Sequence, residues 1–283
     1  MILVADSGST KTDWRWIGPD KRVRQFTSPG LNPYFLQADE IVALLQKDVR
    51  PKLGEATARR GFRLRFYGAG CTGPGKNRLV AAALGEVFPR AGAEVASDLL
   101  GAARALCGRN PGMAAILGTG SNSCCYDGRK IIARIPSLGF ILGDEGGGAD
   151  LGKRLLKGFL YQEMPAGISS RFAARFGISR EAVLEQVYRR PHPNRYLASF
   201  ARFIHRNLAE EYIRSLVTGA FREFFDRHIC RCANATALTL GCTGSIAFYF
   251  RDILRKVGEE KGIPIGKILK SPVAALARYH LAE

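Results

Sequence analysis

Apolar residues open the chain in one run, Ile2-Leu3-Val4-Ala5, which stops at Asp6-Ser7-Gly8. A short continuous apolar run that ends in turn residues reads as a buried strand. Residues 12–17, Thr-Asp-Trp-Arg-Trp-Ile, alternate between polar and apolar, as a half-buried strand does. Gly18-Pro19-Asp20 is a turn and 22–27 returns as a third strand, which makes the opening an antiparallel meander. From 38 to 53 the period changes: Ile41, Leu44, Leu45 and Val49 recur at helical spacing. Strands over 62–67 and 93–97 then alternate with helices over 78–88 and 99–107. The first part of the chain is thus ordered β-β-β-α-β-α-β-α.

Gly108-Arg-Asn-Pro-Gly112 reads as a linker, after which the same order starts again. An apolar strand over 113–117 runs into Gly118-Thr119-Gly120-Ser121. A hairpin over 123–126 and 130–135 follows, turning at Asp127-Gly128. Helices are predicted over 147–162, 169–177, 180–188 and 196–228. A strand over 237–240 then leads into Gly241-Cys-Thr-Gly244-Ser245 and a helix through 261, and a last helix spans 272–281. Each half opens with a strand, a Gly/Ser/Thr turn and another strand, the pattern of a structural duplication with divergent sequence. The predicted domains are 1–110 and 111–283, with the 272–281 helix packing back on the first.

Composition narrows the chemistry. The 283 residues are 46% hydrophobic and 24% charged, an ordinary globular balance. No apolar run approaches a bilayer span and no signal peptide is visible, so a cytoplasmic location without membrane partners is the expectation. The net charge of +17 attracts polyanions. The basic residues are scattered, however, and the densest spots, Arg59-Arg60 with Arg63 and Arg65 or Arg189-Arg190, are short. No nucleic-acid-binding motif accompanies them, so nucleic acid is not expected as a partner. Seven cysteines and four histidines show neither C-x-x-C nor zinc spacing. They read as reduced thiols.

Four motifs carry chemistry. Asp6-Ser7-Gly8-Ser9-Thr10-Lys11-Thr12 is a hairpin turn whose N–H groups and hydroxyls make an anion nest, and Asp6 at its base suits Mg²⁺ held through water. Gly118–Ser123 occupies the equivalent place in the second half. Asp98 ends a strand and begins a helix of small residues, either as a helix cap or as a carboxylate at the strand's carboxyl end, where open α/β sheets bind ligands. Gly143-Asp144-Glu145-Gly146-Gly147-Gly148 joins adjacent acids to three glycines ahead of a helix. A near P-loop, Gly70-Cys-Thr-Gly-Pro-Gly75-Lys76-Asn77, is rejected. Asn77 replaces the magnesium-ligating Ser/Thr, and Pro74 removes an N–H from the cradle.

With these residues the chain resembles the N-acetylglucosamine kinase branch of the BadF/BadG/BcrA/BcrD ATPase family, of the actin-like, sugar kinase and Hsp70 fold superfamily. The most specific pieces are 6–12, Gly30-Leu-Asn32, Ser97-Asp98, 118–122, Gly143-Asp-Glu-Gly146 and 241–245. The resemblance implies an α/β fold of two ribonuclease H-like (actin/hexokinase-type) domains, each a mixed sheet with helices, facing a central cleft. It implies that Ser9, Thr10, Lys11, Thr119, Gly120 and Ser121 bind ATP phosphates, and that Ser199, Gly241, Gly244 and Ser245 line the adenosine side. Asn32, Ser137, Leu138, Gly139 and Asp144 would bind sugar with Asp98, which deprotonates the 6-hydroxyl. Small-molecule sugar and Mg²⁺-ATP are the implied partners, and a second copy of the chain is admitted. Pro33-Tyr34 and Ser137-Leu138 depart from the His-Trp and Gly-Trp pairs of relatives, which leaves N-acetylglucosamine, N-acetylmuramate and glucosamine open. Relatives that bridge subunits with an iron–sulfur cluster use cysteine ligands that have no obvious counterpart here, and no cluster is expected. A partner-activating ATPase and a sugar or nucleotide sensor without turnover are the competing classes.

Overall fold

A computed structural model describes residues 1–58 and 60–282, so Arg59 of the basic cluster lies outside the described residues. The chain divides into two compact units. The first holds Met1–Asn110, Gly128–Ile131 and the C-terminal residues from Ser271; the second holds Pro111–Asp127 and Ile132–Lys270.

The first unit is built on the predicted meander: β1 (Ile2–Ser7), β2 (Lys11–Ile17) and β3 (Val23–Pro29). Helix α1 (Ala38–Leu44) passes through a π-helical turn (Leu45–Val49) into α2 (Arg50–Leu53). Pro51 explains the interruption, because it has no N–H to offer the carbonyl four residues back. After α3 (Glu55–Ala58) come β4 (Phe62–Gly68), α4 (Pro74–Val87), β5 (Ala91–Ser97) and α5 (Asp98–Cys107). The sheet order is β3-β2-β1-β4-β5. β1 pairs antiparallel with β2 and parallel with β4, which pairs parallel with β5.

Side chains alternate across a strand. Leu3 and Ala5 of β1 therefore join Trp14, Trp16, Leu64 and Phe66 in one cluster with Ile41 and Leu45, and with Val80 and Leu84 of α4. Ile2 and Val4 are equally buried on the opposite face, where α5 and the C-terminal helix pack. That helix is held at its end by a buried network. Tyr67 Oη lies 2.6 Å from His280 Nε2, and Arg104 Nη1 of α5 donates to the same hydroxyl at 2.7 Å.

The second unit has β6 (Gly112–Leu117), β7 (Ser121–Tyr126) and β8 (Ile131–Arg134). A one-turn helix α6 (Gly139–Leu142) precedes α7 (Gly148–Leu160), α8 (Ala166–Phe176) and α9 (Arg180–Tyr188). The single helix predicted over 196–228 is three: α10 (Pro193–Ser199), α11 (Ala201–Arg206) and α12 (Glu211–Phe224), the last running into a π-helical turn, Phe225–Ile229. Asn207 ends α11, its amide donating to Phe203 O at 2.8 Å in competition with the backbone ladder.

The strand predicted over 237–240 is corrected to β9 (Leu240–Thr243); 235–237 form a 3₁₀ turn instead. The apolar run Ala237-Leu-Thr-Leu-Gly-Cys has no period of its own, and pairing with β6 sets the register, Leu240 opposite Met113 and Cys242 opposite Ala115. α13 (Ser245–Tyr249) and α14 (Arg251–Glu260) replace one predicted helix and break at Phe250. β10 (Ile265–Leu269), which the sequence did not suggest, adds the fifth strand, and α15 (Val273–Leu281) is the C-terminal helix. The order β10-β9-β6-β7-β8 repeats the first sheet strand for strand. The core of this unit is rich in phenylalanine, with Phe172, Phe200, Phe221, Phe224 and Phe225 fully buried beside Met113, Ala115 and Leu117. Among the described residues no helix is long and apolar enough to cross a membrane.

Candidate active site

The first hairpin is braced from below by hydroxyls. Ser7 Oγ and Thr12 Oγ1 lie 2.8 Å apart in the buried rung where β1 meets β2. Thr12 Oγ1 donates to Pro29 O (3.0 Å) and Leu31 N donates to Ser7 Oγ (3.0 Å), so the Gly30-Leu-Asn32 turn is tied to the hairpin. Gly30 lies so close to Gly8 and Ser9 that a Cβ there would strike their backbone. Thr10 at the tip is exposed, and nothing among the described residues accepts its N–H. Lys11 Nζ contacts both oxygens of Asp13 at 3.0 Å, with its side chain 63% exposed.

Asn32, read as a sugar ligand, has both ends of its amide engaged. Nδ2 donates to Ser9 Oγ (2.8 Å) and Oδ1 accepts Tyr34 N (2.9 Å). Gly70, at φ +83, leaves room for that amide. Lys76 of the rejected P-loop donates to Pro33 O (2.7 Å) and lies over the Tyr34 ring.

Asp98 reaches the same end of this sheet by register. Ser7 pairs with Gly68 and Gly68 with Ser97, so the carboxyl ends of three parallel strands are level. Ser97, not Asp98, is the helix cap: its hydroxyl accepts Leu100 N. Asp98 is the first helical residue, its Oδ1 accepting Leu99 N at 2.8 Å. Burial pushes the Asp6 carboxyl up to about 8, and the charges of Asp98 and then Asp13 push the same way against Lys11. Cys71 nearby is pushed up to about 12 by burial and by Asp98, so it stays a thiol at neutral pH. Among the described residues no cluster of three or more His, Cys, Asp or Glu could hold a metal, so no all-protein cage is present. A single carboxylate at the base of the hairpin, beside a second acid, fits Mg²⁺ carried mainly by phosphate and water.

The second hairpin is clamped by the acidic glycine loop. Gly118 N donates to Gly120 O (3.0 Å), which closes the turn. Gly148 N and Ala149 N, which open α7, donate to Gly118 O and Thr119 O, both at 2.8 Å. Asp144 Oδ1 accepts Ser121 N at 3.1 Å, and burial raises the Asp144 carboxyl above its ordinary range. The Ser121 hydroxyl is buried without a hydrogen-bond partner. Nothing among the described residues accepts the N–H of Thr119 or Gly120. A turn with two free amide donors is a nest for anionic oxygen.

The loop is anchored in turn. Glu145, 8% exposed, faces buried His228 with Oε2 and Nε2 3.0 Å apart, and Arg227 lies 3.5 Å from its other oxygen. Gly146 N donates to Asp150 Oδ2 at 3.0 Å. Sequence reasoning missed Glu145 and His228 as a pair. The adjacent acids were visible, but a single histidine 83 residues away in a helical stretch gives no signal.

The other predicted residues are more dispersed. Ser137 Oγ donates to Ser121 O at 3.5 Å, so it does touch the hairpin. Leu138 is exposed and Gly139, at φ +71, starts α6. Ser199 is exposed and donates to Tyr196 O within its own helix (2.6 Å). Gly241 belongs to strand β9 rather than to a turn, opposite Ala114. Gly244, at φ +113, packs on Leu117 O and Gly118 N, and Ser245 starts α13. Cys125 and Cys232 are joined as a disulfide, which corrects the reading of all seven cysteines as thiols; tertiary packing brings together residues 107 apart.

Comparison with protein-family models and with curated proteins gives no match. Solved structures do match. A Porphyromonas gingivalis protein assigned as an N-acetylglucosamine kinase is 43% identical, covers 100% of this chain and 99% of its own, and superposes with a TM-score of 0.95. The chain belongs to the N-acetylglucosamine kinase-like family. It is thereby an ATP-dependent carbohydrate kinase of the actin-like fold. A Chromobacterium violaceum protein with the same assignment shares the fold at 18% identity, TM-score 0.69, over 98% of both chains. A Cytophaga hutchinsonii protein assigned as a sugar kinase does so at 13% identity and TM-score 0.52, over 100% of this chain and 99% of its own.

Proposed function

We propose that this kinase transfers the γ-phosphoryl group of ATP to the 6-hydroxyl of an amino sugar, N-acetylglucosamine before N-acetylmuramate or glucosamine, with Asp98 as the base. The observation that carries the reading is the level ending of β1, β4 and β5. It sets Asp98 beside the 7–11 hairpin and within the electrostatic reach of Asp6.

In this reading both hairpins bind ATP phosphate, through the amides and hydroxyls at Ser9 and Thr10 and at Thr119 and Gly120. Lys11 adds positive charge once it leaves Asp13. Asp98 orients the sugar hydroxyl and accepts its proton late, since phosphoryl transfer asks mainly for positioning and charge stabilisation. Mg²⁺, when bound, neutralises phosphate charge, and Asp6 is the carboxylate that would hold it through water. Asn32 shapes the sugar side by holding Tyr34 and Ser9 in place, and Ser137 to Gly139 line it. Gly244 and Ser245 take the adenosine side with Ser199. A cytoplasmic location, where ATP is supplied, is part of this reading.

A coupled ADP-release assay against a panel of amino sugars tests this. Sugar-dependent turnover on N-acetylglucosamine is expected. ADP release that is the same with and without every sugar sinks the assignment.

A further inference from the structure

We propose that Glu223 is a positioning residue for the sugar site: it closes a ring of charges that holds the acidic loop and so aims Asp144 at the sugar. This rests on the sugar-kinase reading above, with Asp144 as one of the sugar ligands that the family resemblance implies.

The ring is continuous. Gly146 N donates to Asp150 Oδ2 at 3.0 Å, and Arg154 Nε donates to both oxygens of Asp150 at 3.0 Å. Arg154 Nη2 then donates to Glu223 Oε2. The other oxygen of Glu223 lies 2.7 Å from Arg227 Nη2. Arg227 Nε lies 3.5 Å from Glu145 Oε1, and Glu145 precedes Gly146 in the chain, which completes the circuit. Asp150 and Arg154 belong to α7, Glu223 to α12 and Arg227 to the π-helical turn that follows α12. Glu223 is the link between the two arginines.

An isolated, partly exposed ion pair contributes little. This chain of pairs ends on two buried acids, Asp150 at 4% exposure and Glu145 at 8%. A buried carboxylate stays where its partners are, because leaving them strands its charge. Burial works against the charge of Glu223, yet Arg154 and Arg227 outweigh it and lower its pKa below the ordinary carboxylate range. The loop is also seated closely on α12. A Cβ added to Gly146, which has φ +71, would lie 3.1 Å from Phe224 Cβ and 3.2 Å from Phe221 Cδ1. The loop has little slack against the helix that carries Glu223.

Asp144 is one residue further back, at φ +60, with its carbonyl accepting Gly147 N at 2.9 Å. Glu145 is turned to His228 and Gly146 is fixed by Asp150, so the backbone that carries Asp144 is held from two sides. Cutting the ring at Glu223 leaves Asp144 in the chain and loosens its aim. The 118–121 turn does not depend on the ring in this way, because Gly148 N and Ala149 N hold it by backbone bonds.

The test separates sugar from nucleotide. KM for N-acetylglucosamine, ADP affinity without sugar and the melting temperature are measured for wild type, Glu223→Gln, Arg227→Gln, their double variant and Asp144→Ala. Each is taken at low salt and at about 1 M salt, where the Debye length falls to about 3 Å. Each single ring variant is expected to raise the sugar KM roughly three- to five-fold at low salt, as loss of a networked ion pair does. The double variant should do no more than the larger single one, because both cut the same ring. ADP affinity should not change. N-acetylglucosamine carries no charge, so its KM has no salt dependence of its own. In wild type it should rise at high salt, and in Glu223→Gln it should not. Additive effects of the two variants overturn the inference. So does an ADP affinity that falls with the sugar KM, or a wild-type sugar KM indifferent to salt. If Glu223→Gln melts below the assay temperature, Arg227→Gln carries the same test from the other side of the ring. If Asp144→Ala leaves the sugar KM unchanged, the sugar reading of that residue fails and takes this inference with it. If Asp144→Ala raises the sugar KM and neither ring variant does, only the inference falls.

Discussion

Asp98 raises the proton affinity of Asp6 across the carboxyl ends of three parallel strands. One carboxylate follows Ser97 at the end of β5; the other is the penultimate residue of β1. Their separation in sequence is large, yet the register Ser7–Gly68–Ser97 makes them near neighbours. Two acids sharing one field favour a state in which one is protonated, and a cation relieves them both.

Replacing Asp98 with Asn keeps its shape at the first position of α5 and removes its basicity. Loss of a general base costs about 10²–10⁴-fold in rate. Asp98→Asn should fold, bind ADP and lose that much kcat. Near-wild-type kcat on every accepted sugar would show that the base lies elsewhere.

The Asp6 carboxyl makes stability depend on pH in a stated direction. Its folded value, about 8, lies above the ordinary 3.8, so the folded state holds a proton that the unfolded chain releases. This contribution is fully present below pH 3.8 and is lost as pH rises through about 8. Asp6→Asn should therefore melt above wild type at pH 8 and alike at pH 4. The gain should be of the order of several kcal/mol, since burial is the largest cause of the raised proton affinity. Thermal melts without nucleotide decide it; an unchanged pH 8 difference would mean that Asp6 is already ionised.

Glu145 and His228 form a buried pair under the acidic loop, and removal of Glu145 strands the histidine. The His228 Nδ1 atom is already buried without a hydrogen-bond partner, so the ring has no second hydrogen bond to fall back on. Glu145→Ala should cost about 2–4 kcal/mol in urea unfolding. The double variant with His228→Phe should cost less than the two single losses added together. Strict additivity would mean that the pair is not coupled.

Gly70 allows the Asn32 amide to sit against its backbone. Gly70→Ala puts a Cβ in that space at φ +83, so both strain and collision act. About 1–3 kcal/mol of stability should be lost, with a raised sugar KM as Asn32 shifts. Unchanged stability and KM would show that the turn adapts freely.

The first meander was legible because Ile2–Ala5 and 12–17 carry opposite, well-formed patterns bounded by turn residues. The strand-to-helix step at Asp98 was legible because an apolar strand there gives way to a run of small residues. β9 and β10 were not. Ala237-Leu-Thr-Leu-Gly-Cys has no period, and Ile265–Leu269 is short and half-buried, so neighbouring strands choose their register. The breaks in the long helix at Phe200 and Asn207 follow from side-chain hydrogen bonding and packing that periodicity does not report.

Local order in the chain settles what is local: strand and helix types, the two Gly/Ser/Thr hairpins, and the strand-to-helix step that carries Asp98. Long-range contacts settle partners. Asp144 lies against Gly120 and Ser121, Glu145 faces His228, Cys125 joins Cys232, and the Asn32 amide donates to Ser9. Each depends on residues far apart in sequence meeting after the sheets have formed. No nearest-neighbour pattern encodes such a meeting.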